Sequence, residues 1–214
     1  MILNHRAEMG IFVILSFSCY LRPSECIRLR GASLVPPQPQ NGPSFASWGL
    51  ILHDADLGIA GKTRITDESV LVDLDTMLWP CLRVLHEKVH ADEAIWNFSL
   101  DQLRDIYSTV MERLKVTNLL MTHLYGLRHG GASYDLLARR RSLAEVKFRG
   151  RWQADTSLRR YAKATRLQRE MAKVIPRITE FATNVEEHFH KMIISVAKGK
   201  ALPFEVPPEL LVPL

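Results

Sequence analysis

The spacing of apolar residues predicts a chain made mostly of helices. A helical pattern extends over residues 7–30 and breaks at Pro23, a residue tolerated in the first turn of a helix. Within it, residues 10–20 are almost entirely apolar. Because this run is far shorter than the roughly 20 residues that span a bilayer, we interpret it as a buried helix.

Two apolar, β-branched stretches predict a small antiparallel sheet. Residues 47–53 and 63–73 flank a polar segment that contains Gly58 and Gly61, which is typical of a turn between strands. Before them, residues 35–43 (VPPQPQNGP) are dense in Pro and Gly and predict a loop. The predicted fold class is therefore mainly α with a small antiparallel β-sheet (α+β).

Beyond residue 80 the pattern is helical almost throughout, and polar residues mark several helix starts. A capping box, in which two side chains satisfy free amides reciprocally, is predicted for two pairs: Ser99 with Gln102, and Ser142 with Glu145. Asp155 is a further candidate cap. Apolar positions three to four residues apart predict an amphipathic helix over residues 170–197.

The length of 214 residues favours one domain, either alone or with an appendage. We place the domain at residues 1–182 and the appendage at 183–214, which holds the end of the amphipathic helix and a proline-rich tail from residue 203. With 47% hydrophobic and 24% charged residues, the composition excludes a disordered or fibrous chain. Three cysteines without CxxC spacing favour reduced thiols and an intracellular protein.

The positive charge is concentrated in one segment. Residues 128–169 hold twelve Lys or Arg and three Asp or Glu, a net charge of +9 against +5 for the whole chain. Guanidinium groups bind phosphates through forked hydrogen bonds and displace counterions from a nucleic acid. A solvated helical face would have the same composition, so charge alone leaves both interpretations open. The candidate DNA contacts are Arg139, Arg140, Arg141, Lys147, Arg149, Arg151, Arg159 and Arg160.

Motifs for other chemistries are missing from the sequence. There is no GxxxxGK[ST] loop, no GxGxxG after a predicted strand and no HExxH on a helix. We therefore expect no cofactor, no metal and no membrane partner.

Four segments, in order, resemble the catalytic domain of the tyrosine recombinases, the phage integrase superfamily. Residues 19–30 (CYLRPSECIRLR) resemble its first arginine motif, with Arg22 as the arginine and Glu25 as the acid that follows. Lys62, in the Gly61–Thr63 turn, matches the family's hairpin lysine. Residues 125–133 (YGLRHGGAS) are similar to HxLRHxxAS and give Arg128 as the second arginine. In residues 150–163 (GRWQADTSLRRYAK), Trp152 matches the His or Trp position, and Tyr161, nine residues later, matches the nucleophile.

The resemblance implies a tyrosine recombinase-like catalytic domain over residues 1–182. Its predicted reaction is DNA breaking and rejoining through a 3′-phosphotyrosine on Tyr161, without metal or ATP, in site-specific recombination or integration of a mobile element. Arg22 and Arg128 would hold the phosphodiester, Lys62 would be the general acid, and Trp152 would donate its indole N–H. The implied partners are double-stranded DNA and three further copies in a homo-tetramer.

Two features of the resemblance leave alternatives open. Tyr125 stands where the family most often has histidine, and the segment that matches begins without the family's core-binding domain. A catalytically silent DNA-binding remnant and a type IB topoisomerase-like enzyme are therefore the other two hypotheses. Localisation would follow the DNA, in the nucleus or the prokaryotic cytoplasm.

Overall fold

The computed structural model describes residues 7–53, 68–73, 77–119, 122–154, 164–197 and 200–211. This part of the chain is mainly helical with one small antiparallel sheet, as predicted. The α-helices are α1 Ala7–Ser18, α2 Pro23–Cys26, α3 Trp79–Lys88, α4 Leu100–Arg113, α5 Leu124–Leu137, α6 Leu143–Arg149, α7 Ala164–Met171, α8 Pro176–Ala197 and α9 Pro208–Leu211. None of these described helices is long and apolar enough to cross a membrane.

The sheet has three strands in the order β1 (Leu34–Val35), β2 (Gly49–His53) and β3 (Glu68–Leu71), all antiparallel to their neighbours. The two predicted strands correspond to β2 and β3. The prediction of a loop from residue 35 is wrong at its first position, because Val35 pairs with Gly49 in β1. A strand of two residues is too short to produce an alternating pattern that the sequence could reveal.

The main core lies between α1, the sheet, α3 and α4. Phe12 and Leu15 of α1 are fully buried, and the Phe12 ring meets that of Trp96 edge to face at 5.4 Å. The predicted buried helix is thereby confirmed. Cys19, Cys26 and Cys81 are free and buried, as expected for reduced thiols.

Helix α5 approaches α1 at a glycine. A Cβ atom added to Gly131 would lie 2.0 Å from the Phe17 carbonyl oxygen, so no other residue fits there without moving a backbone. This close approach brings the end of α1 against the buried face of α5. Arg128, three residues before Gly131, is thereby close enough to donate a hydrogen bond to the Tyr20 carbonyl.

Several predicted helix boundaries are confirmed, and others are wrong. Both capping boxes form: the Ser99 and Ser142 hydroxyls accept the amides of Gln102 and Glu145 at 3.2 and 3.3 Å. Asp155 lies outside the described residues. The segment after Pro23 is a single turn that ends at Cys26, instead of a helix reaching residue 30.

The single helix predicted over residues 170–197 is wrong. Helix α7 ends at Met171, and α8 begins at Pro176, which has no amide proton with which to continue a preceding helix. The buried stripe of α8 includes Ile178, Phe189 and Met192, so these three are covered within the chain. Within the proline-rich tail, Pro208–Leu211 form α9, which packs against α4.

Candidate active site

The site is organised around the Glu25 carboxylate in the short helix α2. Arg22 precedes the helix with an extended backbone, and Pro23 starts it. At the third helical position, Glu25 accepts the backbone amide of Arg22 at 2.7 Å and forms an ion pair with the Arg22 guanidinium. Burial alone would lower the pKa of Arg22, but the charge and hydrogen bond of Glu25 outweigh it and raise that pKa. Arg22 is therefore a fixed cation that keeps 22% of its side chain exposed.

Arg128 reaches the same carboxylate from the buried face of α5. Its Nη1 lies 3.9 Å from Glu25 Oε2 and donates to the Tyr20 carbonyl at 2.5 Å, and its Nη2 donates to the Gly150 carbonyl. Its Nε has no hydrogen-bond partner among the described residues. Burial, with the nearby charges of Arg151 and Arg22, lowers the Arg128 pKa to about 10. The side chain is thus still a cation at neutral pH.

Trp152 covers the Arg128 guanidinium. The Arg128 Cζ lies 4.7 Å from the centre of the indole, a cation–π contact that contributes about 2 kcal/mol when desolvated. The ring can lie there because it packs directly on Gly150, where an added Cβ would fall 1.9 Å from the indole. The His129 ring stacks parallel to the indole at 6.4 Å. Arg128 is therefore enclosed by carbonyls on one side and aromatic rings on the other.

Tyr125 forms the exposed edge of the site. It lies one turn before Arg128 in α5, with 42% of the residue exposed, and its ring meets His129 edge to face at 4.9 Å. Tyr125 is close enough to Arg22 and Arg128 to contribute to the electrostatic environment of both guanidinium groups. Tyr125 and Arg22 therefore face solvent in front of the buried Arg128.

A cleft opens next to this edge. It has a volume of about 570 Å³ and lies between α4 and the start of α5, with Pro23, Ser24, His123 and Tyr125 on the side nearest Arg22. The structure thus brings Arg22, Tyr125, Arg128 and Trp152 together, and of these four Tyr125 lines the cleft. Lys62 and Tyr161 lie outside the described residues.

Arg151, which the sequence predicted as a DNA contact, forms ion pairs inside the site. Its Nη2 lies 2.7 Å from Glu25 Oε2 and its Nε 3.3 Å from Glu68 Oε2, so the side chain connects α2 to the sheet. Only 10% of it is exposed. Its backbone φ is 53°, the left-handed region that a non-glycine residue rarely adopts, and this turns the side chain inward just after α6.

The expected arginine surface is smaller than the sequence suggested. Arg139 and Arg140 are exposed, and Arg140 lies over the Tyr134 ring at 4.9 Å. Lys147 is half-buried, while Arg141 and Arg149 are 18% and 10% exposed. The sequence could not distinguish the exposed arginines from the largely buried ones, because neighbouring residues such as Arg140 and Arg141 point to solvent and to the interior respectively. Arg159 and Arg160 lie outside the described residues.

A second ion cluster holds Arg141 and Arg149. Arg141 pairs with Asp73 and with the buried Asp135, and Arg149 lies 3.5 Å from Asp73 and donates to the Ser18 carbonyl at 2.9 Å. The Tyr20 hydroxyl donates to Asp135, and burial together with that carboxylate raises the Tyr20 pKa. One signal of this cluster was in the sequence: Asp135 falls seven residues after Arg128, on the same helix face.

Compared with known proteins, the chain matches no family model, no curated protein and no solved structure.

Proposed function

We propose that this chain is a DNA breaking and rejoining domain of the tyrosine recombinase type. The observation that carries the proposal is the convergence of Arg22 and Arg128, which lie 128 − 22 = 106 residues apart in the sequence, on the two oxygens of Glu25. These are the two arginines that the sequence motifs assign to the phosphodiester. Their meeting point is lined by Tyr125 and Trp152, which the same motifs assign to the site.

The chemistry needs fixed positive charge where the phosphoryl oxygens gain negative charge. Arg22 is a cation with one exposed side, and a second cation, Arg128, lies behind it. Both are held by Glu25 before any substrate arrives, so little reorganisation remains for the transition state. The Tyr125 phenol can donate one hydrogen bond to a phosphate oxygen.

The remaining steps of the proposal rest on the motifs. The Tyr161 phenol loses its proton to solvent and attacks the phosphorus, which forms a 3′-phosphotyrosine and breaks the bond to the 5′ oxygen. Lys62 gives the leaving oxygen its proton, and attack by a 5′ hydroxyl on the phosphotyrosine reverses the step. Because the ester stores the bond energy, neither metal nor ATP is required. Duplex DNA is the substrate, contacted by Arg139 and Arg140 among others, and recombination or integration would engage a homo-tetramer on two duplexes.

A nicked duplex tests the proposal. A strand interrupted close to the cleavage site loses its short 5′-hydroxyl fragment after attack, which traps the covalent product. We expect the full chain to form a protein–DNA adduct that survives denaturing gels, and the Tyr161→Phe variant to form none. An adduct that persists in Tyr161→Phe, or a wild-type protein that binds the duplex without an adduct, would refute the chemistry.

The second candidate is a catalytically silent DNA-binding domain, and one observation favours it. Arg128 is 0% exposed, and both its terminal nitrogens donate to backbone carbonyls. An arginine used in this way stabilises the junction of α1, α5 and α6 whether or not a phosphate is present. In the same assay this domain would shift the duplex reversibly, and Tyr161→Phe would bind as tightly as the wild type.

A further inference from the structure

The cleft between α4 and the start of α5 has the composition of a ligand site. Leu100, Met111 and Leu124 give it apolar walls, and Tyr107 and Tyr125 add two aromatic rings. Its volume of about 570 Å³ falls within the roughly 300–1,000 Å³ of pockets that enclose small organic ligands. The reaction proposed for Arg22, Arg128 and Tyr161 leaves this space unused.

The cleft also offers hydrogen-bonding groups. Tyr107 is only 7% exposed and lines the cleft, and its hydroxyl has no hydrogen-bond partner among the described residues. His123 caps α5, where its Nδ1 accepts the Gly126 amide at 3.1 Å, so the proton of the neutral ring is on Nε2. An apolar cleft that contains a phenol hydroxyl and an imidazole N–H suits a flat ring with polar atoms along its edge.

The cleft is continuous with the proposed phosphodiester site. Pro23 and Ser24, which line it, directly follow Arg22 in the chain, and Tyr125 lines it from the other side of Arg22. A phosphodiester held by Arg22 would therefore bring the nucleosides that it joins next to the cleft. The faces of a paired base are covered by its neighbours in the duplex, so a base can fill the cleft only after it leaves the stack.

We propose that this cleft binds one unpaired base of the cleaved strand, next to the reacting phosphodiester. The inference rests on the proposed function for the position of that phosphodiester at Arg22. Tyr125, with 42% of the residue exposed, gives the base an aromatic ring on which to stack, and Tyr107 and His123 supply partners for its polar edge. A base held in this way fixes the adjoining phosphodiester against Arg22.

Three labelled duplexes of about 30 base pairs test the proposal by fluorescence anisotropy at fixed ionic strength. One is fully paired, one has a single central mismatch, and one lacks the base on both strands at that position. A mismatched base leaves the stack at lower cost, so the wild type should bind the mismatched duplex about tenfold more tightly than the paired one. The doubly abasic duplex is flexible at the same point but has no base to offer, so its affinity should stay within about twofold of the paired duplex.

A tryptophan placed in the cleft tests whether the preference arises there. Ser108→Trp fills the cleft from an exposed position of α4, and it should reduce the preference for the mismatch to less than about twofold. Val84→Trp is the matched control: it adds the same ring at an exposed position of α3, outside the described lining, and should keep the preference. Circular dichroism melts identify variants that do not fold. If Ser108→Trp fails to fold, Thr117→Trp fills the cleft from another exposed position.

The outcomes distinguish this inference from the proposed function. A mismatch preference that is missing in the wild type, that persists in Ser108→Trp or that the doubly abasic duplex shares overturns the inference, even if the wild type forms the covalent adduct. A preference that is lost in Ser108→Trp and kept in Val84→Trp supports base binding in the cleft. If no adduct forms in that case, only the chemistry is refuted. A wild-type protein that binds no duplex overturns both.

Discussion

The contact between α1 and α5 predicts an unusual response to a glycine-to-alanine exchange. Replacing a helical glycine with alanine normally stabilises a protein by about 1 kcal/mol, because alanine is the better helix former. At Gly131 the new methyl group would lie 2.0 Å from the Phe17 carbonyl oxygen and 2.9 Å from a ring carbon of Tyr20. The obstructing oxygen belongs to the backbone, so α1 and α5 have to separate.

Overpacking of this kind costs about 1–3 kcal/mol, and a displaced backbone favours the upper end of that range. After the gain in helix propensity of about 1 kcal/mol is subtracted, Gly131→Ala should lower the free energy of unfolding by about 2 kcal/mol. Urea denaturation followed by circular dichroism measures this difference.

Gly130 is the matched control on the same helix. Its added methyl group would lie 3.1 Å from the end of the half-buried Phe17 side chain, which can rotate away. Gly130→Ala should therefore remain within about 1 kcal/mol of the wild type. The reasoning is refuted if Gly131→Ala is as stable as the wild type or Gly130→Ala, because the two helices would then not be in backbone contact.

Three further predictions follow from buried groups. Tyr20→Phe removes the hydrogen bond to the Asp135 carboxylate and should cost about 2 kcal/mol in urea denaturation; an unchanged unfolding free energy would contradict it. Burial tends to raise the Glu25 pKa, but Arg151 and the other cationic and amide partners outweigh it, so the pKa is lowered. A lowered pKa stabilises the fold at pH values above the unfolded-state pKa of about 4.3, and this stabilisation is lost as the pH falls through the folded-state pKa. Glu25→Gln should therefore be clearly less stable than the wild type at pH 7 and approach it below about pH 4. A difference in unfolding free energy that stays constant down to pH 3 would contradict this. Burial raises the pKa of Cys19 to about 11, and the Cys26 and Cys81 thiols are buried as well. All three thiols should therefore react with a disulfide reagent at pH 8 in urea and hardly at all in the native protein. Fast labelling of the native protein would contradict this.

Local features of the fold were predictable from the sequence because their physics is local. The Ser99 and Ser142 capping boxes each involve side chains within one turn, and the apolar run of α1 determines its own burial. The break before Pro176 is also a local effect, because proline cannot continue a preceding helix. The apolar spacing across the break nevertheless predicted one continuous helix.

The organisation of the site was only partly predictable. The motifs named Arg22, Arg128, Trp152 and Tyr125, and the structure places these four side chains together. They gave no sign that Arg151 turns inward, because that depends on a backbone with positive φ and on Glu68 from a strand far away in the chain. Such contacts are decided by tertiary packing, which residue type and spacing do not encode directly.

The most direct test of the central claim asks whether Arg22 acts on the charge of a phosphodiester. Two nicked duplexes differ only at the reacting link, which is a phosphodiester in one and a neutral methylphosphonate in the other. With the phosphodiester, Arg22→Ala should slow adduct formation on the order of 100-fold relative to the wild type, whereas with the methylphosphonate the two proteins should react at similar rates. An equal loss on both duplexes, or no adduct from the wild type on either, would contradict the account.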